Sequence, residues 1–534
     1  MLRNPKYLYG SQPCNVPAKL NLGEFLIHKL KKHGNKIAMI NAATQEKLTY
    51  DGILQASMNV AVSLVKIGVK KGDVVGICAE KISEFWPTVI GIACAGAIMT
   101  PYSYEFIKDE LKHVMDLSKP KYLFCSKRAY ETHGAIFKSL DYLDTIILYG
   151  EDRIENSLLY NDLAIVSDRS IITKNVEYDE FVAIDVDGQN DTVFLMYSSG
   201  TTGLPKAVMQ THLNTIVIYS VSGTVDPALK ILNITPWYHV FGLMSGLMYL
   251  SHGAHMVYLP KFEMDLYLST IEKYKINQLV LIPSVVMALS KISIKYDVSS
   301  VEVILCAASV LETKVIDAVE AKFRNLEAVV QGYGMTETTF MVTIDDYFKN
   351  KIFRTGSVGK VISDTVIKIS DIVTREPLGP YQRGEICVKG PTILKGYIGI
   401  DNKNDFDDEG FLKTGDIGYY DDDKYLYIVE RLKELIKYNG YQVPPAEVEA
   451  VLLQHSGVRD AGVIGLPHAS SGEVPLAFVV LQKGVNVTEI ELQRFVAERL
   501  SNPKHLRGGV RFVDEIPRTG SGKILRKNLR QMIE

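Results

Sequence analysis

Short apolar runs alternate with amphipathic helical stretches from the N-terminal region to about Ile369, and this alternation limits the possible folds more than any other feature. Val74-Val-Gly-Ile-Cys78, Tyr122-Leu-Phe-Cys125, Asn277-Gln-Leu-Val-Leu-Ile-Pro283 and Val301-Glu-Val-Ile-Leu305 read as buried strands, each followed by a helical segment. Strands of that kind, separated by helices, imply largely parallel sheets with helices on their faces. From about Ile369 the strands shorten. Gly384-Glu-Ile-Cys-Val-Lys389 and Tyr425-Leu-Tyr-Ile-Val429 are examples, with Asp421-Asp-Asp-Lys424 as a turn. After Arg431 a compact α+β segment is expected, with a helix at Ala446 to His455 and strands near Ala461 to Gly465 and Ala477 to Leu481.

The fold class is therefore α/β. A large N-terminal domain over residues 1–429 combines parallel α/β subdomains with a small β-barrel-like subdomain, and a small α+β domain covers 430–534. A chain of 534 residues is too long for one hydrophobic core, which agrees with at least two domains. The net charge of -3 argues against wholesale nucleic-acid binding. The six cysteines are scattered with no CxxC pair, so neither a disulfide framework nor a zinc knuckle is expected.

The first residues lack the apolar run of a secretory signal. The longest apolar stretch, Val89 to Met99, is shorter than the roughly 20 residues of a bilayer span and reads as a closely packed buried helix. The last residues, Arg530 to Glu534, are not a Ser-Lys-Leu peroxisomal address. The expectation is a cytoplasmic protein with no membrane span, its oligomeric state left open.

Tyr197-Ser-Ser-Gly-Thr-Thr-Gly-Leu-Pro-Lys-Ala207 follows a strand-like Thr192 to Met196 and carries the strongest chemical signal. Ser198, Ser199, Thr201 and Thr202 offer hydroxyls, and Gly200 and Gly203 let backbone N–H groups approach an anion. Lys206 adds a point charge, so the loop suits a polyphosphate. It is not a Walker A loop, because Gly203 precedes Lys206 by three positions. At Gln331-Gly-Tyr-Gly-Met-Thr-Glu-Thr338 the glycines permit a tight turn, Tyr333 offers a ring for a nucleobase, and Glu337 offers a hard oxygen for Mg²⁺. Thr414-Gly-Asp416 presents a carboxylate suited to ribose hydroxyls, and Arg518-Thr-Gly-Ser-Gly-Lys523 sets a lysine on a glycine-rich loop.

In this fixed order the segments resemble the acyl-adenylate-forming enzymes, which include acyl- and aryl-CoA synthetases, peptide-synthetase adenylation domains and beetle luciferases. Ser198 to Lys206 looks like the family's phosphate loop, Tyr333-Gly-Met-Thr-Glu337 like its adenine and metal motif, and Thr414-Gly-Asp416 like its ribose motif. Glu430-Arg-Leu-Lys433 resembles the hinge, and Thr519-Gly-Ser-Gly-Lys523 the catalytic-lysine loop. The likeness runs from roughly Leu20 to Arg530. Leu435-Ile-Lys-Tyr-Asn-Gly-Tyr-Gln-Val443, with Leu506-Arg-Gly-Gly-Val510, is most similar to the insect branch of 4-coumarate-ligase-like synthetases and luciferases.

The resemblance implies two half-reactions using ATP, Mg²⁺ and coenzyme A. In the first, a carboxylate attacks the α-phosphate while Lys206 and its loop hold pyrophosphate and Glu337 holds the metal. Gly332, Tyr333 and Thr336 meet the adenine and α-phosphate, Asp416 and Arg431 the ribose, and Lys523 the developing charge. The small domain, mobile in the family, then turns about Glu430 or its neighbour. Lys437, Gly440 and Gln442 come to line the thiol path, and His239 is a candidate catalytic residue of the acyl pocket.

One departure from the pattern lies beside the phosphate loop, and larger ones lie around that pocket. Ala207 follows the loop lysine in place of glycine, and Ala307-Ala-Ser-Val310 replaces a Gly-Gly-Ala-Pro-like stretch. Ile218 stands where beetle luciferases have arginine, Phe340 where a small residue is usual, and Tyr238 and Val240 flank His239. The pocket is expected to be apolar and to take a fatty or aromatic acid. A CoA ligase leads. An ATP-dependent luciferase shares every nucleotide-handling residue. A nucleotide-binding pseudoenzyme is disfavoured by the intact Lys206, Glu337, Asp416, Arg431 and Lys523, and a peptide-synthetase module by the lack of an appended carrier domain.

Overall fold

The computed structural model describes residues 4–11, 16–154, 156–198, 205–221, 226–307, 311, 313–345, 351–439, 441–468, 470–519 and 522–533. Two large sheets build the N-terminal domain. In the eight-stranded sheet the order runs Gly396–Tyr397, Lys206–Thr211, Thr192–Ser198, Ile98–Tyr102, Val74–Cys78, Tyr122–Cys125, Thr145–Leu148 and Leu158–Leu159. Its strands are parallel from Thr192–Ser198 outward, and the first two pair antiparallel.

The nine-stranded sheet has six parallel strands at its centre, from Ala328–Gly334 through Val303–Cys306, Gln278–Leu281, Lys230–Asn233 and His255–Tyr258 to Ile37–Asn41. Antiparallel strands flank it on both sides. The expected strands thus form where their uninterrupted apolar runs demanded burial on both faces. The apolar stretch Val89 to Met99 is not one helix: it forms the second half of the helix Phe85–Cys94, every residue of which is buried, and the start of the strand Ile98–Tyr102. Among the described residues no helix is long and apolar enough to cross a membrane.

The third sheet corrects the expectation of a β-barrel-like subdomain. Its five antiparallel strands run Tyr7–Tyr9, Val366–Ser370, Gly384–Lys389, Leu412–Tyr420 and Leu426–Arg431, an open path whose two edge strands do not pair among the described residues. Short antiparallel strands can close a barrel only if the first meets the last. Here the N-terminal segment pairs with Val366–Ser370 and occupies one edge instead.

The small C-terminal domain is α+β. Gly472–Leu481 is flanked by Val458–His468, by the hairpin Ile436–Tyr438 and Tyr441–Val443, and by a parallel strand, Gly509–Phe512. Helices Pro445–Leu452 and Glu489–Ala497 cover a core of Val448, Leu452, Val463, Val479 and Leu492. This domain rests on the large one. Lys291 Nζ donates to Arg459 O at 2.7 Å, Arg383 bridges to Glu447 at 3.2 Å, and Gly522 packs on Ser284.

Candidate active site

Ser198 and Lys206 are register partners at the end of an antiparallel pair, which brings the two ends of the glycine-rich loop together. The Ser198 hydroxyl is buried with no hydrogen-bond partner among the described residues, so it has an unmet capacity facing the cavity. Lys206 Nζ lies 4.8 Å from the centre of the Tyr397 ring. Ser199, Gly200, Thr201, Thr202 and Gly203 lie outside the described residues.

The next wall comes from the strand Ala328–Gly334 and the 3₁₀ turn Thr336–Thr338. Gly334 is required here: a Cβ would sit 1.8 Å from Phe340 O, inside any allowed contact. Immediately beyond the turn, Thr339 takes φ 65°, a left-handed conformation unusual for a β-branched residue, and its hydroxyl donates to Thr392 O at 2.7 Å. Glu337 is buried, and its Oε1 accepts from the Tyr397 hydroxyl at 3.1 Å. Thr336 O accepts from Gln210 Nε2 at 3.0 Å, tying the turn to the strand that carries Lys206.

Asp416 sits opposite, buried, with both oxygens engaged. Its Oδ2 accepts from the Tyr333 hydroxyl at 2.7 Å and its Oδ1 meets Arg431 Nε at 3.1 Å. Burial, followed by the Asp416 charge, pushes the Tyr333 hydroxyl well above its ordinary range, while Asp416 above all holds Arg431 protonated. Each carboxylate oxygen keeps a second lone pair for a ligand hydroxyl. Beside this cluster Arg375 pairs with Glu385 at 2.6 Å, and Glu385 Oε1 accepts from Gly415 N at 3.1 Å.

His239 caps the helix Val240–His252, its Nδ1 accepting from Phe241 N at 3.3 Å. Nε2 then carries the proton of the neutral ring. Burial, then the nearby Lys523 charge, lowers its pKa to about 4, so the ring is neutral near pH 7. Phe241 and Phe340 stack with centroids 6.1 Å apart and give this end of the cavity an aromatic floor. Ala307 lines it too, whereas residues 308–310 lie outside the described ones. Ile218 is 1% exposed within the core and does not line the cavity.

Lys523 reaches the same cavity from the small domain. Its loop is closed by Thr519 N donating to Lys523 O at 2.8 Å and Lys523 N donating to Thr519 Oγ1 at 3.1 Å. Gly522, at φ 83°, passes so close to Ser284 that a Cβ would meet its Oγ at 2.8 Å. Burial, then Arg431, lowers the Lys523 pKa, opposed by Asp416, Glu337 and Glu434.

One cavity of about 500 Å³ therefore gathers Ser198, Lys206, His239, Gly332, Tyr333, Thr336, Glu337, Arg431 and Lys523, with Asp416 directly behind Tyr333 and Arg431. Lys437 is not among them. It lies exposed on the hairpin strand Ile436–Tyr438, its backbone N–H donating to Glu473 at 2.9 Å. Gly440 and the Gln442 side chain fall outside the described residues. Tyr397 and the Arg375–Glu385 pair were missed in the sequence. Each is a single residue without a motif, and only the pairing of Gly396–Tyr397 with Val208–Met209 brings Tyr397 beside Lys206.

The chain is similar to known proteins over most of its length. Residues 26–398 match the family described as AMP-binding enzyme, and residues 447–523 match the AMP-binding enzyme C-terminal domain. Luciferin 4-monooxygenase of Photuris pensylvanica is 36% identical over 100% of this chain and 99% of its own. A probable 4-coumarate–CoA ligase of Dictyostelium discoideum is 32% identical over 99% of this chain and 98% of its own. Among solved structures, ATP-bound MatB from Rhodopseudomonas palustris aligns with a TM-score of 0.84 at 28% identity, covering 96% of this chain and 99% of that one.

Proposed function

Because the chain belongs to the AMP-binding enzyme family, we propose that it joins ATP to a fatty or aromatic carboxylic acid, releasing pyrophosphate, and then passes the acyl group from the adenylate to the thiol of coenzyme A, releasing AMP. The observation that carries this reading is the meeting of Lys206, Glu337, Arg431 and Lys523, from distant parts of the chain, in one cavity with an aromatic end. The acid lies toward Phe241, Phe340 and Met341 and the nucleotide toward Tyr333, Asp416 and Arg431. Lys523 faces the attacking carboxylate and the α-phosphate oxygens, where a preformed cation stabilises developing charge without reorganisation. Ser198 and Lys206 hold the departing pyrophosphate, Thr336 the α-phosphate, and Gly332 the adenine side. Neutral His239 offers Nε2–H at the acyl end.

Glu337 suits Mg²⁺, because a hard cation bound with nucleotide takes one or two carboxylates and fills its remaining positions with phosphate oxygens and water. When bound there, the ion neutralises phosphate charge. Tyr397 orients that carboxylate. Tyr397→Phe removes a hydrogen bond to a charged group, and kcat/KM for ATP should fall by about 10- to 100-fold in steady-state assays. An unchanged value would remove Tyr397 from the site.

The second half-reaction needs a different set of groups at the same carbonyl. Residues 430–534 turn against 1–429 about Glu430 or Arg431, withdrawing Lys523 and bringing in Lys437, Gly440 and Gln442. Glu430 and Arg431 suit a hinge. Arg431 pairs with Asp416 of the large domain, while Glu430 accepts from Ala446 N of the small one at 3.0 Å.

A luciferase reading is favoured by the full-length likeness to a luciferin 4-monooxygenase. One experiment separates the two. The protein is incubated with ATP, Mg²⁺ and a panel of fatty acids, aromatic acids and a luciferin, with and without coenzyme A, recording pyrophosphate, acyl-CoA and light. Acyl-CoA formed in the dark is the expected result. Light requiring ATP and O₂ would make it a luciferase, and no pyrophosphate with any acid would end both readings.

A further inference from the structure

The helix Lys108–Ser118 grips the chain on both sides of the phosphate segment through two consecutive residues. The Tyr197 hydroxyl donates to Val114 O at 3.0 Å, and His113 Nε2 lies 3.0 Å from Pro205 O. A carbonyl oxygen only accepts, so Nε2 carries the proton, and the bond survives whether the ring is neutral or protonated. Pro205 has no N–H, so this carbonyl is the one backbone hydrogen-bonding group it offers, and Lys206 follows it directly.

The helix is itself well fixed. Leu111, Val114 and Met115 are buried in one apolar cluster, and Ser118 Oγ lies 2.7 Å from the hydroxyl of Tyr102, whose ring stacks on Tyr197 at 6.0 Å. Tyr197, Ser198 and Lys206 all line the cavity, whereas His113 does not.

We infer that His113 is a positioning residue: by holding Pro205 O it sets the start of the strand Lys206–Thr211 and so the place of the Lys206 ammonium. The inference rests on the function proposed above, in which Lys206 serves the β- and γ-phosphates. ATP has those groups and AMP does not, so a misplaced Lys206 weakens ATP binding and spares AMP. A general loss of folding would weaken both.

The test measures ATP and AMP affinities of the full-length protein by titration calorimetry without acid, for wild type, His113→Ala and His113→Gln. One lost neutral hydrogen bond predicts that His113→Ala weakens ATP by about 3- to 10-fold and leaves AMP within about twofold. His113→Gln, whose amide also donates, recovers most of the loss. In ATP–pyrophosphate exchange the KM for ATP rises by the same factor and that for the acid does not. Equal losses for ATP and AMP, no loss, or glutamine no better than alanine would each overturn the inference. Wild-type protein that bound neither nucleotide would overturn the underlying function instead, before any variant is compared.

Discussion

Lys523→Ala should lower ATP–pyrophosphate exchange by about 10²–10³-fold, the loss expected when a preorganised group opposite developing charge is removed. Lys523 comes into the cavity on a loop closed by two hydrogen bonds with Thr519 and seated on Ser284. The alanine variant keeps both, since they use the backbone of residue 523, so the cavity wall survives and only the charge leaves. With chemically supplied acyl-adenylate and coenzyme A, the same variant should form thioester within a few-fold of wild type. Lys437→Ala should show the reverse pattern, because Lys437 lies exposed and outside the cavity in this arrangement. If Lys523→Ala slowed both half-reactions equally, Lys523 would be a general binding residue. If it left exchange intact, the assignment of the lysine loop would be wrong.

Much of the scaffold could be read from sequence because the parallel strands are buried on both faces. Val74–Cys78 and Tyr122–Cys125 therefore announce themselves as unbroken apolar runs. The third sheet reads as barrel-like from its short strands, and its open path is not legible in them. Its edge is formed by Tyr7–Tyr9 pairing with Val366–Ser370, a register set by contacts far apart in sequence. The candidate site divides in the same way. Glycine-rich segments with a lysine or a carboxylate at fixed spacing carry a local signal, so Ser198–Lys206 and Tyr333–Glu337 stood out. Tyr397, Arg375, Glu385 and His113 are isolated side chains whose partners lie in other segments, and only the tertiary structure supplies them. Ile218 shows the opposite error. Standing where beetle luciferases have an arginine suggests a pocket role, yet the side chain is buried in the core.

Arg526→Met should destabilise the small domain by about 3–5 kcal/mol, the range for breaking a buried ion pair by removing one partner. Arg526 is 10% exposed and faces three carboxylates: Glu434, Glu449 at 2.8 Å and Glu430 at 3.7 Å. Burial alone would lower its pKa, but Glu449, Glu430 and Glu434 together hold it above the ordinary arginine range. Burial conversely raises Glu430 to about 7, with Arg526 working against the rise. A carboxyl with a folded pKa above its unfolded one binds more protons when folded, so its contribution to stability falls as pH climbs from about 4.5 to about 7. Without the guanidinium that window widens upward, and the variant should lose more stability between pH 5.5 and pH 8 than wild type does. Denaturant unfolding followed by far-ultraviolet circular dichroism at the two pH values measures both effects. Arg494→Met is the control. Its partner Glu498 and Arg494 itself are both exposed, and such pairs contribute at most about 1 kcal/mol. A loss at Arg526 no larger than at Arg494, or one that does not grow with pH, would mean that water reaches the three glutamates.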